Sequence, residues 1–523
     1  MDGKTHPGGA LAFLAVLLLG LGYAAFSIYS DVQDVGEHGL AVGALVLLGL
    51  ALLIALGFEF VNGFHDTANA VATVIYTHSL PPLVAVVWSG TFNFLGVLTS
   101  SGAVAYAIVS LLPVELILQV GSGAGYAMIF SLLIAAIIWN LGTWAFGIPN
   151  SSSHALIGSI MGVGLANQLM APAGQATSGV DWGQAVKIAE ALLFSPLIGF
   201  VLAGALLLAM KLVIRNKALY EAPKGNKPPP GPIRALLIAT CTGVSFFHGS
   251  NDGQKGMGLI MLILIGAAPT AYALNRAVPE STTPAFLQAM GDAQGVFKAH
   301  AEGAAVPGDA AAARHVVGEA LKTKAVNTAA VYAALGVLSA DIGDQVKQYG
   351  AIKAVPAQAT QSVRGDMYLE SDAIRVMGAK PAGFSDQEVA TLKAGRGWLD
   401  RGTRFIPTWV KVSVALALGL GTMVGWKRIV VTVGEKIGKT HMTYAQGASA
   451  EIVAMFTIGL ADMYGLPVST THVLSSGVAG SMAANGSGLQ WATLRSMALA
   501  WVLTLPAAMA IAGLLFVILR QVF

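Results

Sequence analysis

Two short polar segments lie inside otherwise apolar stretches of this sequence, and both carry ionisable residues. The first, residues 57–77, contains Glu59, His65, Asp66 and Asn69. Such side chains are costly in hydrocarbon and normally face a protein-lined cavity or an ion path. A helix would place Asp66 and Asn69 on one face, because they are three residues apart. Their oxygens suit a sodium ion or a proton, so we interpret this segment, with His65, as an ion- or proton-coupling site.

The second segment, residues 248–258, is a shortened copy of the first. It contains Asn251 and Asp252, and Lys255 stands where the first copy has Asn69. A fixed ammonium at that place would repel or replace a sodium ion, which favours proton coupling over sodium coupling. The alternative is a purely structural pair in which Lys255 satisfies Asp252.

Two runs of hydroxyl residues, each after a proline, form another repeated motif. GIPNSSSHALIGSIMG, from residue 147, aligns without gaps with GLPVSTTHVLSSGVAG, from residue 465. Proline followed by serine or threonine is typical of a helix start, where the first backbone N–H groups have no partner within the helix and attract anions. We therefore predict that a phosphate-like oxyanion is bound by Ser151, Ser152, Ser153, Ser469, Thr470 and Thr471. The alternative is that these small residues only allow close helix packing.

Four further polar residues of the apolar stretches are candidates for supporting roles. His154 and His472 follow the two hydroxyl runs at equivalent positions. A lone histidine in a membrane is most often a packing residue, so we expect these two to support the site or to carry protons. Glu59 and Glu451 are intramembrane acids and candidate proton carriers. The sequence assigns no residue to a bound metal ion.

The composition indicates that the helices which position these residues span a membrane. Of the 523 residues 55% are hydrophobic and 11% are charged, and the mean hydropathy is +0.68. These values exclude a soluble core and predict an all-α polytopic membrane protein. Spanning stretches are predicted at residues 10–28, 42–63, 83–111, 126–147, 184–213, 232–248, 406–425, 446–464 and 492–519. Shorter stretches, predicted as half-helices or full spans, lie at residues 66–80, 151–170, 252–270 and 470–487.

The repeated motifs divide the chain into two halves, the second of which carries a large polar insertion. This layout is typical of transporters in which two inverted repeats, with broken or re-entrant helices, hold a substrate near the bilayer midplane. The predicted segments are an N-terminal helix and loop (1–40), a first membrane repeat (41–213), a basic linker (214–231), the first part of the second repeat (232–270), an extramembrane insertion (271–404) and the remainder of the second repeat (405–523).

The charged residues lie mainly in the loops. The net charge of +3 includes no dense basic tract, so we expect no nucleic-acid partner. The linker around 211–234 and the loop 427–441 are basic, and the positive-inside rule places both in the cytoplasm. If one helix separates the second basic loop from the insertion, the insertion lies outside.

At these motifs the sequence resembles the inorganic phosphate transporter (PiT) family, whose duplicated signature has the form GANDVANA. The two copies here read GFHDTANA from residue 63 and GSNDGQKG from residue 249. With GIPNSSSH and GLPVSTTH, they look like the bacterial low-affinity Pit type, and the similarity covers nearly the whole chain. The departures from the sodium-dependent pattern, at His65, Gln254 and Lys255, argue against a sodium site.

The resemblance implies proton symport of inorganic phosphate as a neutral complex with a divalent cation: magnesium, calcium, zinc, manganese or cobalt. It implies inverted repeats, a homodimer and a place in the plasma membrane of a bacterium, the inner membrane in a Gram-negative one, and no cofactor beyond these co-substrates. The central ion and phosphate site would be lined by Asp66, Asn69, Asn251 and Asp252. Lys255 would contact phosphate or stand in for the coupling cation. Independently, buried carboxylates facing anion-binding helix starts require a neutralised anion.

Other functions fit parts of the pattern. A sulfate symporter is the nearest, since a helix start binds either oxyanion, but phosphate can donate a hydrogen bond to a buried carboxylate and sulfate cannot. Sodium-coupled phosphate symport and a passive anion channel are two more. An intramembrane serine hydrolase is disfavoured, because adjacent Ser153 and His154 diverge by about 100° on a helix and cannot act together as nucleophile and base. The chain is therefore predicted not to be an enzyme.

Overall fold

The computed structural model describes residues 7–35, 42–66, 68–172, 177, 179–378 and 381–523. Within these ranges every regular element is a helix, and one isolated β-bridge joins Gly438 to Leu489. A helix satisfies its own backbone hydrogen bonds, which is what an apolar segment in a bilayer requires. The predicted all-α class is confirmed.

The first half of the chain supplies most of the long apolar helices. Six helical stretches of the described residues are long and apolar enough to cross a membrane, and five of them lie before residue 214. The helices of this half are α1 (Pro7–Asp34), α2 (Val42–Asp66), α3 (Ala68–Tyr76), α4 (Pro82–Thr99), α5 (Ala103–Val109), α6 (Val114–Leu118), α7 (Gly123–Ala145), α8 (Ser152–Leu169) and α9 (Trp182–Val213).

The helices of the second half lie on both sides of the polar insertion. The last helix of this half, α21, is the sixth of the long apolar stretches. The helices are α10 (Gly231–Ala267), α11 (Pro269–Tyr272), α12 (Thr283–Ala299), α13 (Ala310–Thr323), α14 (Ala329–Tyr349), α15 (Ala357–Met377), α16 (Asp386–Thr403), α17 (Thr408–Thr422), α18 (Lys427–Glu435), α19 (Tyr444–Met463), α20 (Thr470–Asn485) and α21 (Trp491–Leu519).

Two predicted boundaries were wrong. The stretches 232–248 and 252–270 were expected to be separate, yet α10 runs through both as one helix of 37 residues, because other helices supply partners for its polar side chains. The stretch 83–111 was expected to be one span, yet α4 ends at Thr99. Gly102 then adopts φ +87°, a left-handed conformation that glycine tolerates best, and α5 starts after it.

The helices of the two halves pack in exchanged pairs. Helix α20 of the second half packs against α9 of the first, and α21 packs against α8; in the same way α10 packs against α4, and α17 against α2. Glycine permits two of these approaches: a Cβ on Gly63 would lie 2.2 Å from the Leu418 carbonyl oxygen, and one on Gly96 would lie 2.0 Å from that of Phe246. The exchange brings the motifs of both halves together. An inverted relation of the repeats stays a prediction.

The insertion contains helices α12 to α16 and is tied to the membrane helices by an ion-pair cluster. Asp181, the N-cap of α9, lies 3.0 Å from Arg375 of α15 and 3.1 Å from Lys324 after α13. The insertion returns to the membrane at an elbow, where α16 and α17 meet at 74°. Its position is therefore fixed at both places.

Candidate functional site

The first hydroxyl run forms the start of α8. Ser151 is the N-cap, and its Oγ accepts a hydrogen bond from the backbone N–H of His154 at 3.2 Å. Ser151, Ser152 and Ser153 are all buried. The predicted helix start is confirmed, and it lies inside the protein, where the orphan N–H groups of a helix need a polar partner.

The second run forms the start of α20 with the same cap geometry. Ser469 is the N-cap and accepts from the backbone N–H of His472 at 3.2 Å. Thr470 and Thr471 are buried, and the Thr470 Oγ1 has no hydrogen-bond partner among the described atoms. The repeat seen in the sequence is therefore a repeat of buried helix starts.

Asp66, at the end of α2, joins the two helix starts. The Ser152 hydroxyl donates to its Oδ2 at 2.5 Å, and the Thr471 hydroxyl donates to its Oδ1 at 2.9 Å. The carboxylate is buried, with 3% of the residue exposed. Hydrogen bonds to an ionised acceptor are roughly twice as strong as neutral ones. One carboxylate thus holds together groups supplied by both halves.

His65 lies between Asp66 and α7. Its Nδ1 is 3.1 Å from the Asp66 Oδ1, and its Nε2 is 3.3 Å from the Thr143 Oγ1. The ring is fully buried. Contacts at both ring nitrogens fix its orientation, so His65 can hold or pass a proton next to the carboxylate.

In the second signature copy Asp252 is paired with a cation. The Lys255 Nζ lies 2.7 Å from the Asp252 Oδ2, one helical turn away on α10. Both side chains are fully buried. The structural pairing that the sequence left open is present, and the ammonium of Lys255 is directed at the carboxylate rather than at the hydroxyl runs.

His248, which flanks Asp252 in the sequence and was expected to support the site, lies next to that carboxylate. Its Nε2 is 3.4 Å from the Asp252 Oδ2, and ligand atoms of Asp66, His248 and Asp252 all lie within 4.8 Å of one another. Its Nδ1 is 2.7 Å from the Asn93 Oδ1, and this contact helps to fix the orientation of the ring. The spacing explains the contact with Asp252, because His248 precedes Asp252 by one helical turn on α10.

Two predicted residues hold the approach to α20 instead of facing Asp66. The Asn251 Nδ2 donates to the Leu466 carbonyl at 3.0 Å, and its Oδ1 accepts from the Val468 N–H at 3.4 Å. The Ser153 hydroxyl donates to the Val468 carbonyl at 2.8 Å. The backbone before the second hydroxyl run is thereby tied to α8 and α10.

The two predicted intramembrane acids both contact α10. The Glu59 Oε1 accepts from the backbone N–H of Gly256 at 2.7 Å, directly after Lys255. Glu451 accepts a short hydrogen bond from the Thr240 hydroxyl. Both acids are fully buried. Each sits on a different side helix, α2 or α19, against the helix that carries Asp252.

The two equivalent histidines stack on each other. The ring centroids of His154 and His472 are 4.6 Å apart, and the His472 ring is 4.1 Å from the Trp501 ring. The Trp501 N–H donates to the Pro149 carbonyl at 3.0 Å. The stack packs the two helix starts against α21. The side chain of Asn69, also predicted for the site, lies outside the described part of the structure.

Known proteins resemble nearly the whole chain. The model of the phosphate transporter family matches residues 62–512. The chain belongs to this family. The low-affinity inorganic phosphate transporter PitA of Escherichia coli (strain K12) is 43% identical over 91% of this chain and 97% of that protein. PitB of the same strain is 41% identical, over 92% and 99%.

More distant relatives have similar names. A probable low-affinity inorganic phosphate transporter of Bacillus subtilis (strain 168) is 30% identical over 92% of this chain and 99% of that protein. A solved structure, the sodium-dependent phosphate transporter, matches 91% of this chain and 100% of its own at 18% identity, with a TM-score of 0.49. Because the relatives are transporters, the serine-hydrolase alternative falls away. This family member is a multi-pass protein of a bacterial plasma membrane.

Proposed function

We propose that this transporter imports inorganic phosphate as a neutral complex with a divalent metal ion, together with a proton. The observation that carries the proposal is the position of Asp66. Its carboxylate accepts hydroxyl hydrogen bonds from the helix starts of both halves. An oxyanion bound by those N–H and hydroxyl groups would lie next to a carboxylate.

The charges near the helix starts favour a neutralised substrate. Lys255 offsets Asp252, which leaves the Asp66 carboxylate facing the hydroxyl runs. Two unit charges of the same sign at 4 Å repel by about 4 kcal/mol where the effective dielectric constant is 20. The repulsion between Asp66 and a free phosphate dianion would be larger still, because the dianion carries two negative charges. A bound metal ion, or protonation of phosphate or carboxylate, removes the repulsion.

The metal would enter as cargo with phosphate. Asp66, His248 and Asp252 offer two carboxylates and an imidazole with ligand atoms within 4.8 Å, and a divalent ion would displace the Lys255 ammonium from Asp252. Oxygen ligands suit magnesium, calcium and manganese, and the added imidazole suits zinc and cobalt. In this proposal the ion bridges the cluster to the phosphate oxygens, and both leave together.

Protons are proposed as the coupling ion because Lys255 occupies the position of Asn69 in the first copy. An ammonium 2.7 Å from Asp252 competes with sodium for that carboxylate. His65 contacts Asp66, and the two buried acids Glu59 and Glu451 contact α10, so proton carriers border the site on several sides.

Uptake of radiolabelled phosphate into proteoliposomes tests the proposal. Purified protein is reconstituted without sodium, a pH gradient is imposed, and magnesium is present or chelated. We expect inward protons to drive uptake and chelation to abolish it. Uptake that requires sodium and ignores magnesium would overturn both parts, and transport of sulfate without phosphate would move the proposal to the rival oxyanion.

The homodimer implied by the family resemblance belongs to this proposal as well. Light scattering of the purified protein in detergent, corrected for bound detergent, would give the mass of the complex. Twice the chain mass supports a dimer, and a single chain mass contradicts it.

A further inference from the structure

A second buried polar site lies where the insertion meets the membrane helices. A small cavity of about 30 Å³ is bounded by α5 and α10 on the membrane side and by α15 and the end of α16 on the insertion side. Its apolar walls include Met261 and Leu262. Arg364 and Arg404 both line it. Ser110 and Thr403 add hydroxyl groups to the lining. Arg404 is partly exposed, but Arg364 is buried, and arginine is almost never buried unless it is paired.

Arg364 is buried without a counter-charge. Only 7% of the residue is exposed, its Nε has no hydrogen-bond partner, and no carboxylate among the described residues pairs with it. The acidic residues nearby on α15 are engaged elsewhere: Asp366 accepts two hydrogen bonds from Arg314 at 2.6 and 2.8 Å, and Asp372 lies 2.7 Å from Arg375. Burial lowers the pKa of Arg364, as expected for a cation with no anion beside it.

Arg404 shares its carboxylate partner, Asp400, with a second arginine. Its Nε lies 3.0 Å from the Asp400 Oδ1, but the other oxygen of Asp400 is 3.6 Å from Arg396, and Ser371 donates to the Oδ1 at 2.5 Å. One carboxylate is therefore shared by two guanidinium groups. Together with the unpaired Arg364, the cavity carries an excess of positive charge.

Two tyrosines hold the arginines in place. The Arg364 guanidinium carbon lies 5.6 Å from the centre of the Tyr368 ring, and that of Arg404 lies 5.7 Å from the centre of the Tyr106 ring. The Tyr106 hydroxyl donates to the Phe405 carbonyl at 2.7 Å, which fixes that ring at the elbow between α16 and α17. The site is thus assembled before any ligand arrives.

We propose that this cavity binds the phosphate group of an anionic ligand. An uncompensated buried charge is strongly destabilising, whereas a guanidinium fork matches a phosphate with two parallel hydrogen bonds. Arg364 and Arg404 bind the group, and the apolar walls exclude water. The phosphate group comes from free inorganic phosphate or from the headgroup of an anionic phospholipid. This site goes beyond the proposed transport function and does not depend on it.

The first test counts phosphate ions bound to the full-length protein in lipid-free detergent. Equilibrium dialysis with radiolabelled inorganic phosphate and magnesium is carried out on the wild type, Arg364→Met and a matched control, Arg401→Met. Arg401 is exposed on α16, stacks on Trp398 and does not line the cavity. We expect two phosphates per chain for the wild type and the control, and one for Arg364→Met.

The stoichiometry separates this proposal from the transport site. A Ser152→Ala, Thr471→Ala double variant should retain the phosphate that depends on Arg364. If the wild type binds one phosphate and Arg364→Met loses it, the cavity stands and the proposed transport site fails. If Arg364→Met retains every phosphate, the cavity does not hold free phosphate.

The second test addresses lipid. Native mass spectrometry after addition of phosphatidylglycerol should show one retained lipid in the wild type and in Arg401→Met, but none in Arg364→Met, if the phosphate group belongs to a headgroup. If neither phosphate nor lipid retention depends on Arg364, the proposal is wrong.

Thermal unfolding in phosphate-free, lipid-free detergent is the control that checks whether each variant is folded. Arg364→Met removes an unpaired buried charge and keeps the volume, so its midpoint should equal or exceed that of the wild type. A midpoint well below the wild type would contradict the absence of a counter-charge. Arg364→Lys, which retains the charge but not the fork, should restore weaker binding in whichever assay Arg364→Met fails.

Discussion

The two copies of the signature motif use equivalent aspartates in different ways. Asp66 is surrounded by hydroxyl donors from both halves, at 2.5 and 2.9 Å, and by His65. Asp252 has Lys255 at 2.7 Å and His248 at 3.4 Å. The repeated motif places one carboxylate in each half, and one of them is a shared hydrogen-bond acceptor while the other is half of an ion pair. A repeated motif therefore predicts position better than it predicts role.

Breaking the ion pair should have the largest effect. Lys255→Met leaves the Asp252 carboxylate buried with His248 but without its ammonium partner. We therefore expect the free energy of unfolding to fall by about 3–5 kcal/mol and phosphate uptake to be lost. Asp252→Asn combined with Lys255→Met should regain most of the stability and none of the uptake. Thermal unfolding in detergent and proteoliposome uptake measure the two outcomes. A stable Lys255→Met protein would contradict the role of Lys255 in offsetting the buried charge of Asp252.

Removing one donor from Asp66 should have a smaller effect, seen in transport. A hydrogen bond to a charged group contributes about 1.5–3 kcal/mol, so Ser152→Ala or Thr471→Val should lower uptake roughly 10- to 100-fold. Ser153→Ala is the matched control, since the Ser153 hydroxyl donates to the Val468 carbonyl and not to Asp66. Equal losses in Ser152→Ala and Ser153→Ala would argue against a special place for Asp66.

A glycine difference between the copies sharpens the comparison. Gly256 stands where the first copy has Ala70, and a Cβ there would lie 2.3 Å from the Glu59 Oε1. Gly256→Ala should therefore cost about 1–3 kcal/mol of stability by overpacking. Gly57→Ala on α2, where a Cβ would meet nothing within 4 Å, is the control and should be neutral or slightly stabilising. Unfolding midpoints measure both changes.

The smallest effect is expected at the outer contact of His65. Thr143→Val removes the hydroxyl at 3.3 Å from the Nε2 but keeps the shape. The loss of one neutral hydrogen bond is worth about 1 kcal/mol, or roughly a fivefold decrease in uptake. If His65 passes protons, the pH profile of uptake should also shift. An unchanged rate and profile would reduce His65 to a packing residue.

The sequence predicted what local chemistry determines. Serine after proline caps α8 and α20 as expected, because capping depends on neighbouring residues. The long apolar helices follow from hydropathy alone. The partners of Asp66 did not follow, because Ser152 and Thr471 are far from it in the chain and no local pattern records which hydroxyl of each run faces the carboxylate.

The boundaries that failed did so for one physical reason. Polar residues inside α10 suggested an interruption, but a helix continues when other helices satisfy its side chains, as Asp462 does for Gln254 at 2.7 Å. Conversely, the stretch 83–111 was predicted as one span although the residues TSSG at 99–102 are typical of a turn, and the chain does turn at Gly102. Hydropathy indicates whether a segment lies in lipid or in water. The direction of the backbone depends on contacts with distant residues, which hydropathy does not record.

The unbroken α10 has a mechanical consequence. A helix of 37 residues is about 55 Å long, well beyond the roughly 30 Å of hydrocarbon in a bilayer. Asp252 lies on it less than two turns from Gly258 in the cavity wall. Because both sites lie on one continuous helix, any tilt of α10 that separates Asp252 from Asp66 also displaces the cavity wall facing Arg364. An anion bound at Arg364 would therefore limit the angle through which α10 can tilt.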